Sequence, residues 1–264
     1  MPKVNDVFEY LKSIAPVEMK MDFDNVGLLV GRMNGDASKI LVSLDITHDV
    51  ISEAAESGAN LIVSHHPLFF TVKSVTDADI IGNKILRLVE GCMAAICMHT
   101  NLDAARGGVN DALAAAAGIA DTELLAQDGV FPDGTAFSYG RVGVLQEPCT
   151  LREYLERLKT SLGTSGLRYF DAGREVRKVA VVGGSGGGDL HSAIAHGCDT
   201  FVTADIKYDV FLDAKELGIN LIDADHFCTE NTVIDVLAGN LRAAFPNAEI
   251  AVSKRHKQTV RFYS

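Results

Sequence analysis

The sequence is poor in the features that mark several classes of protein. Its five cysteines, Cys92, Cys97, Cys149, Cys198 and Cys228, are odd in number and scattered, with no CxxC pair. Neither a structural zinc cluster nor a disulfide framework is indicated. Cys92, Cys97 and Cys198 flank or enter apolar runs and read as small core residues. No apolar run approaches the roughly 18 residues needed to span a bilayer. The opening MPKVNDVFEYLKSIAP lacks the apolar stretch of a secretory signal. It reads as an amphipathic helix capped by Asn5, with Val7, Phe8, Leu11 and Ile14 on one face. Positive charge is scarce: 24 Lys and Arg face 35 Asp and Glu, for a net charge of −11. That argues against a nucleic-acid-binding surface, which needs clustered cations. The one basic cluster, Ser253 to Lys257, reads as a solvated strand edge. A soluble cytoplasmic α/β protein is expected, with no membrane or nucleic-acid partner, and 264 residues suffice for one large or two modest domains.

The stretch LIVSHHPLFF is the most informative one present. Leu61, Ile62 and Val63 form a short β-branched run that reads as a buried strand, and His65 and His66 fall just past its carboxyl end. In an open α/β sheet, ligands and catalysis sit in the crevice beyond the carboxyl ends of the strands. Successive side chains of an extended segment diverge, so two adjacent histidines can bind two different ions. The arrangement recurs. Met93 to Met98 leads into His99-Thr100-Asn101-Leu102-Asp103, Thr200 to Thr203 into Ala204-Asp205, and Asn220 to Asp223 into Ala224-Asp225-His226. Each run follows a helix end and a glycine. Ordinary polar loops would explain the repeat, but not the placing of His65, His66, His99 and His226 all directly after strands.

Two domains are expected, joined around Leu125 to Ser138, where LAQDGVFPDGTAFS is loaded with Gly, Asp and Pro. The first, residues 1–125, carries the first candidate ligands and is completed by 226–264; the second is 126–225. A small-residue helix is expected over Val109 to Ala117, and Thr150 to Glu153 is a capping-box pattern. The strand Val179 to Val182 precedes the glycine-rich Gly183 to Gly188 and a helix over Leu190 to His196. That loop fits G-x-S-x-G around Ser185, but in a run made only of glycine and serine the match is cheap. A close-packed backbone turn is the better reading. In DHFCTE a helix puts His226 and Glu230 on one face, whereas a strand would align His226, Cys228 and Glu230; the periodicity of the following Val233, Ile234 and Leu237 favours the helix. His48, His191, His196 and His256 are read as helix or tail residues.

Together, SHHP, HTNLDAARGGVNDALA, VAVVGGSGG, ADIKY and DHFCTE resemble the GTP cyclohydrolase 1 type 2 homologues, the family of dinuclear-metal, ring-shaped hexamers related to the NGG-interacting factor. Asp24 to Leu28 and Leu44 to Thr47 resemble its N-terminal motifs. The resemblance covers most of the chain. It implies two α/β domains with a dinuclear metal site in the cleft between them, and a homohexamer. Carried over by motif, the ligands are His65, His66, Asp103, His226 and Glu230, with Glu230 bridging. Three positions depart from the pattern. Asp209 replaces a histidine after Lys207-Tyr208, Asp225 stands where glycine is common, and Arg261 precedes Phe262 in place of proline.

A set of three histidines and two carboxylates is too rich for one tetrahedral metal. Shared by two ions roughly 3.5–4 Å apart it suits hydrolysis by a metal-bound hydroxide. Imidazole with carboxylate favours Zn, Mn or Fe over Ca. The expected function is hydrolysis of a nucleotide or phosphoester with two divalent ions per chain; the alternative is a metal-dependent regulatory or scaffold hexamer without catalysis. His99 and Glu230 are the candidate catalytic residues. His99 could shuttle a proton or simply make a structural hydrogen bond. Asp45 reads equally as a support of the site or as a plain strand-end carboxylate, and Lys207 and Tyr208 as anion contacts or an exposed helix start.

Overall fold

The computed structural model describes residues 1–131 and 133–263; Pro132, within the expected 125–138 connection, and Ser264 lie outside the described residues. The chain forms two compact α/β units, Met1–Arg106 with Ile234–Lys257, and Gly107–Val233 with Gln258–Ser264. The first 106 residues run α1 (Val4–Ile14), β1 (Gly27–Val30), β2 (Lys39–Ser43), α2 (His48–Ser57), β3 (Leu61–Ser64), α3 (Ile80–Glu90), β4 (Ala94–Cys97) and α4 (Thr100–Ala104). Then come α5 (Val109–Ala116), β5 (Ile119–Leu124), β6 (Gly129–Val130), β7 (Ala136–Phe137), β8 (Arg141–Cys149), α6 (Leu151–Leu162), β9 (Arg168–Phe170) and β10 (Val176–Val181). The chain continues through α7 (Leu190–Ala195), β11 (Thr200–Thr203), α8 (Tyr208–Leu217), β12 (Asn220–Asp223), α9 (His226–Glu230), α10 (Thr232–Ala244) and β13 (Glu249–Val252).

In the first unit the sheet order is β1-β4-β3-β2-β13, with β1 antiparallel and the other four strands parallel. β3 and β4 are buried along their whole length, as strands of a parallel sheet covered on both faces must be. Leu41, Ile62 and Ala95 of the sheet pack with Val50, Ile51 and Ala54 of α2 and Leu88 of α3. Thr47 caps α2 by accepting from Val50 N at 3.2 Å. Helix α1 starts before the expected cap. Asn5 lies inside it, and the Asp6 carboxylate accepts from Lys3 N at 2.8 Å. An acidic residue in the first turn serves that end as well as an Asn at the cap would.

The second unit has the order β5-β8-β10-β11-β12-β9, with β10, β11 and β12 parallel and the other pairs antiparallel. Val179 and Val181 pack with α5 and α6 on one face; Ala180, Phe201 and Leu221 pack with α7 and α8 on the other. The Thr150 and Glu153 capping box opens α6.

Other expectations also differ from what the structure shows. Residues 125–138 join β5 to β8, which are neighbours in one sheet, and fold back as the ribbon β6–β7. The units accordingly divide at Arg106/Gly107 and Val233/Ile234 rather than at 125/126 and 225/226, because α5 packs on the second sheet and β13 pairs with β2 of the first. Cys92 is exposed in a left-handed turn, φ +52°, ahead of β4, while Cys97 and Cys198 are core residues as expected.

The basic segment after β13 is anchored, not a loose edge. Glu53 of α2 accepts from Ser253 Oγ at 2.5 Å, Lys254 N at 2.9 Å and Arg255 N at 3.2 Å. Burial opposes ionisation of Glu53, but these three donors outweigh it and hold the carboxyl below its ordinary value of 4.5. A depressed carboxylate contributes stability above its unfolded pKa and loses it as pH falls through the folded one. Glu53→Gln should therefore lower the thermal midpoint at pH 7 and match the parent more closely as the pH is taken well below 4.5, with faster amide exchange at Lys254 and Arg255 at neutral pH.

Candidate metal centre

In the first unit the parallel strands bring their carboxyl ends to one edge of the sheet. Beyond β2 lies Asp45, beyond β3 lie His65 and His66, beyond β4 lies His99, and beyond β13 the turn holding His256. The antiparallel β1 begins at that same edge. Its register sets Gly27 opposite Cys97, so Asp24, three residues earlier, arrives beside His99 and Thr100. The donor atoms of His65, His66 and His99 lie within 4.8 Å of one another, and His65 Nε2 is 3.7 Å from Asp103 Oδ1.

Each imidazole is turned by a hydrogen bond at Nδ1. His65 is fully buried and donates from Nδ1 to the Met98 carbonyl at 3.0 Å. Cys97 Sγ donates to the His65 carbonyl at 3.0 Å; burial, then the charges of Asp24 and Asp103, push that thiol up, which keeps it a donor. His66 Nδ1 meets Asp45 Oδ1 at 2.8 Å, and His99 Nδ1 meets Asp24 Oδ1 at 2.8 Å. Asp24 also accepts from Thr100 N at 3.0 Å and Thr100 Oγ1 at 2.5 Å. Burial would raise its pKa, but His99 and Thr100 overcome that and hold it well below the usual carboxylate range. Asp45 is held low in the same way, burial being outweighed by His256 and His66. His256 Nε2 donates to Asp45 Oδ2 at 2.8 Å, so Asp45 lies between two imidazoles.

The second unit carries the remaining donors. The parallel register pairs Thr203 with Asp223, so the segments after β11 and β12 leave the sheet together. His226 Nδ1 meets Asp205 Oδ2 at 2.7 Å, and His226 Nε2 is 3.1 Å from Glu230 Oε2, one turn along α9. Burial lowers the His226 pKa, but the hydrogen bonds and charges of Glu230 and Asp205 reverse this and raise it to about 9. Asp205 and Asp225 have φ of +51° and +73°, values uncommon without glycine. At Asp225 this is a backbone that glycine would adopt without strain. Here Asp225 Oδ1 caps α9 by accepting from Cys228 N at 3.0 Å, and it also accepts from Gln258. The helical reading of His226 and Glu230 holds, and Cys228 is buried in the core.

The glycine loop is a wall for Glu230. A Cβ on Gly184, φ +62°, would lie 2.1 Å from Glu230 Oε1. Gly184 N donates to Thr229 Oγ1 at 3.1 Å, and Gly183 N to Asn110 Oδ1 at 2.9 Å. Ser185 is exposed, with no hydrogen bond to a histidine among the described residues, so nothing activates it as a nucleophile. Lys207 and Tyr208 are exposed at the start of α8.

The donor chemistry fits divalent metal. His65, His66, His99 and His226 each commit Nδ1 to a carbonyl or carboxylate, the arrangement in which a histidine would offer Nε2 to a metal, a proton leaving that nitrogen on binding where one is held. A model of the family described as Duf34/NIF3 (NGG1p interacting factor 3) matches residues 2–259. The chain belongs to the DUF34/NIF3 family. Within it, a Clostridium perfringens protein named GTP cyclohydrolase 1 type 2 homolog is 36% identical over 263 residues, covering 98% of this chain and 99% of its own. A Helicobacter pylori protein named GTP cyclohydrolase 1 type 2 is 33% identical over 231 residues, covering 87% and 88%. A solved Bacillus cereus protein related to NIF3 superposes with a TM-score of 0.90 at 27% identity, over 99% of both chains.

The NIF3-type motifs thus have local physical causes, and Asp24, Asp205 and His256 join them as supports that the sequence did not single out. The motif ADIKY contained Asp205, but nothing in its spacing paired it with His226. Two outcomes test these supports. Asp45→Asn should weaken metal binding by about 10–100-fold, with His256→Ala weakening it less, read by competition against a chromophoric chelator. Gly184→Ala should cost at least ~1–2 kcal/mol for the left-handed backbone alone, and displace Glu230, seen as a lower thermal midpoint together with lost metal.

Proposed function

We propose that this protein is a dinuclear-metal-dependent hydrolase of a nucleotide or phosphoester, of the GTP cyclohydrolase 1 type 2 kind. His65, His66, Asp103, His226 and Glu230 would hold two divalent ions per chain, zinc, manganese or iron. The observation that carries the reading is a set of four imidazoles each turned by a hydrogen bond from Nδ1 to a carbonyl or carboxylate, with the donor atoms of His65, His66 and His99 within 4.8 Å of one another. The names of the relatives point the same way. The side chains of His66 and His99 are 19% and 15% exposed, which favours an accessible site over the closed coordination of a purely structural one.

Bound divalent ions supply Lewis acidity and bring the pKa of water toward neutrality. His99, oriented by the hydrogen bond from Nδ1 to Asp24, is the residue we assign to proton transfer at Nε2, with Asp24 positioning the ring. Glu230, buried and seated against Gly184, is both a ligand and a proton acceptor in a dry setting. A homohexamer belongs to the same proposal, to be read by light scattering.

Elemental analysis should find near two ions per chain. Hydrolysis across a nucleotide and phosphoester panel, GTP included, should vanish on chelation and return with manganese or zinc. Glu230→Gln should lower turnover by at least about 10²-fold with the fold intact. A metal-free protein from metal-replete buffer, or turnover indifferent to chelators, would overturn the reading.

A further inference from the structure

In the run Leu68-Phe69-Phe70 the first two side chains pack into the core of the first unit, whereas Phe70 is 52% exposed. Phe23, next to Asp24, is 64% exposed. The two rings are neighbours, with centroids 6.1 Å apart and planes at 52°. Phe70 also adjoins the histidine cluster, its centroid 6.2 Å from that of His99. Neither aromatic hangs on a loose loop. Asn25 Nδ2 donates to the Phe69 carbonyl at 2.8 Å, and Asp24 is bonded to His99 and Thr100. The two segments are thus tied to each other and to the candidate site, and both phenylalanines remain more than half exposed.

We infer that Phe23 and Phe70 form a stacking platform beside His99 for the planar heteroaromatic ring of a nucleotide. The inference rests on the proposed nucleotide substrate and names the residues that hold its base. Aromatic side chains stack with any base, because every base offers a π face. Tilted rings suit a ligand that stacks on one and meets the edge of the other. Neither phenyl bears a polar group, so the platform selects for a ring and not for one base over another.

Calorimetry on the full-length, metal-loaded protein with GMP, AMP and ribose 5-phosphate tests this. Both nucleotides should bind about tenfold or more tighter than the sugar phosphate. Phe70→Ala and Phe23→Ala should each shrink that ratio several-fold, and Phe70→Tyr should preserve it. The same ratio should survive metal stripping, so it is read independently of turnover: a protein with no hydrolase activity can still show it, and an active hydrolase can still lack it. Equal affinities, no binding of any of the three, or a ratio unchanged in both alanine variants would overturn the platform. So would loss of assembly in the double variant at an unchanged ratio, which would assign the two rings to a contact between copies.

Discussion

The first unit depends on four strands running the same way. Parallel pairing of β13, β2, β3 and β4 puts every carboxyl end on one edge of the sheet, and each strand is short, so the chain must leave the sheet there. A polar residue just past such a strand cannot retreat into the core without a partner. The result is a rim on which imidazoles and carboxylates satisfy one another. β10, β11 and β12 repeat the device in the second unit.

The electrostatics of the rim follow from this crowding. A buried carboxylate is costly unless several donors surround it, and Asp24 and Asp45 each meet that condition through imidazoles. The aspartates stay ionised, and each imidazole turns a donating nitrogen toward its aspartate, Nδ1 in His66 and His99 and Nε2 in His256. One set of hydrogen bonds thereby fixes ring orientation. The glycine loop answers a different constraint, since it must run close to Glu230, and only a backbone without Cβ can do so.

Much of this is legible in the sequence because local signals carry it. The β-branched runs at 61–63, 200–203 and 220–223 mark buried strands, the Thr150–Glu153 box marks a helix start, and the histidines after strands mark the rim. What escapes is whatever depends on distant pairing. Asp24 reaches His99 across 75 residues and Asp45 reaches His256 across 211; no periodicity encodes such partners, so His256 looked like part of a solvated tail. The Gly- and Asp-rich 125–138 stretch looked like a connection between domains because turn chemistry is the same in a ribbon between paired strands. Cys92 looked like a core residue because its outward turn is set by backbone dihedrals, not by its apolar neighbours.

The last residues of the chain give these supports an order in time. His256 braces Asp45 in the first unit, and Gln258, two residues later, braces Asp225 in the second. A polypeptide emerging from the ribosome exposes His65 and His66 long before either brace has been made. During synthesis the early histidines are therefore unsupported donors on an unfinished rim until the segment holding His256 and Gln258 has been made.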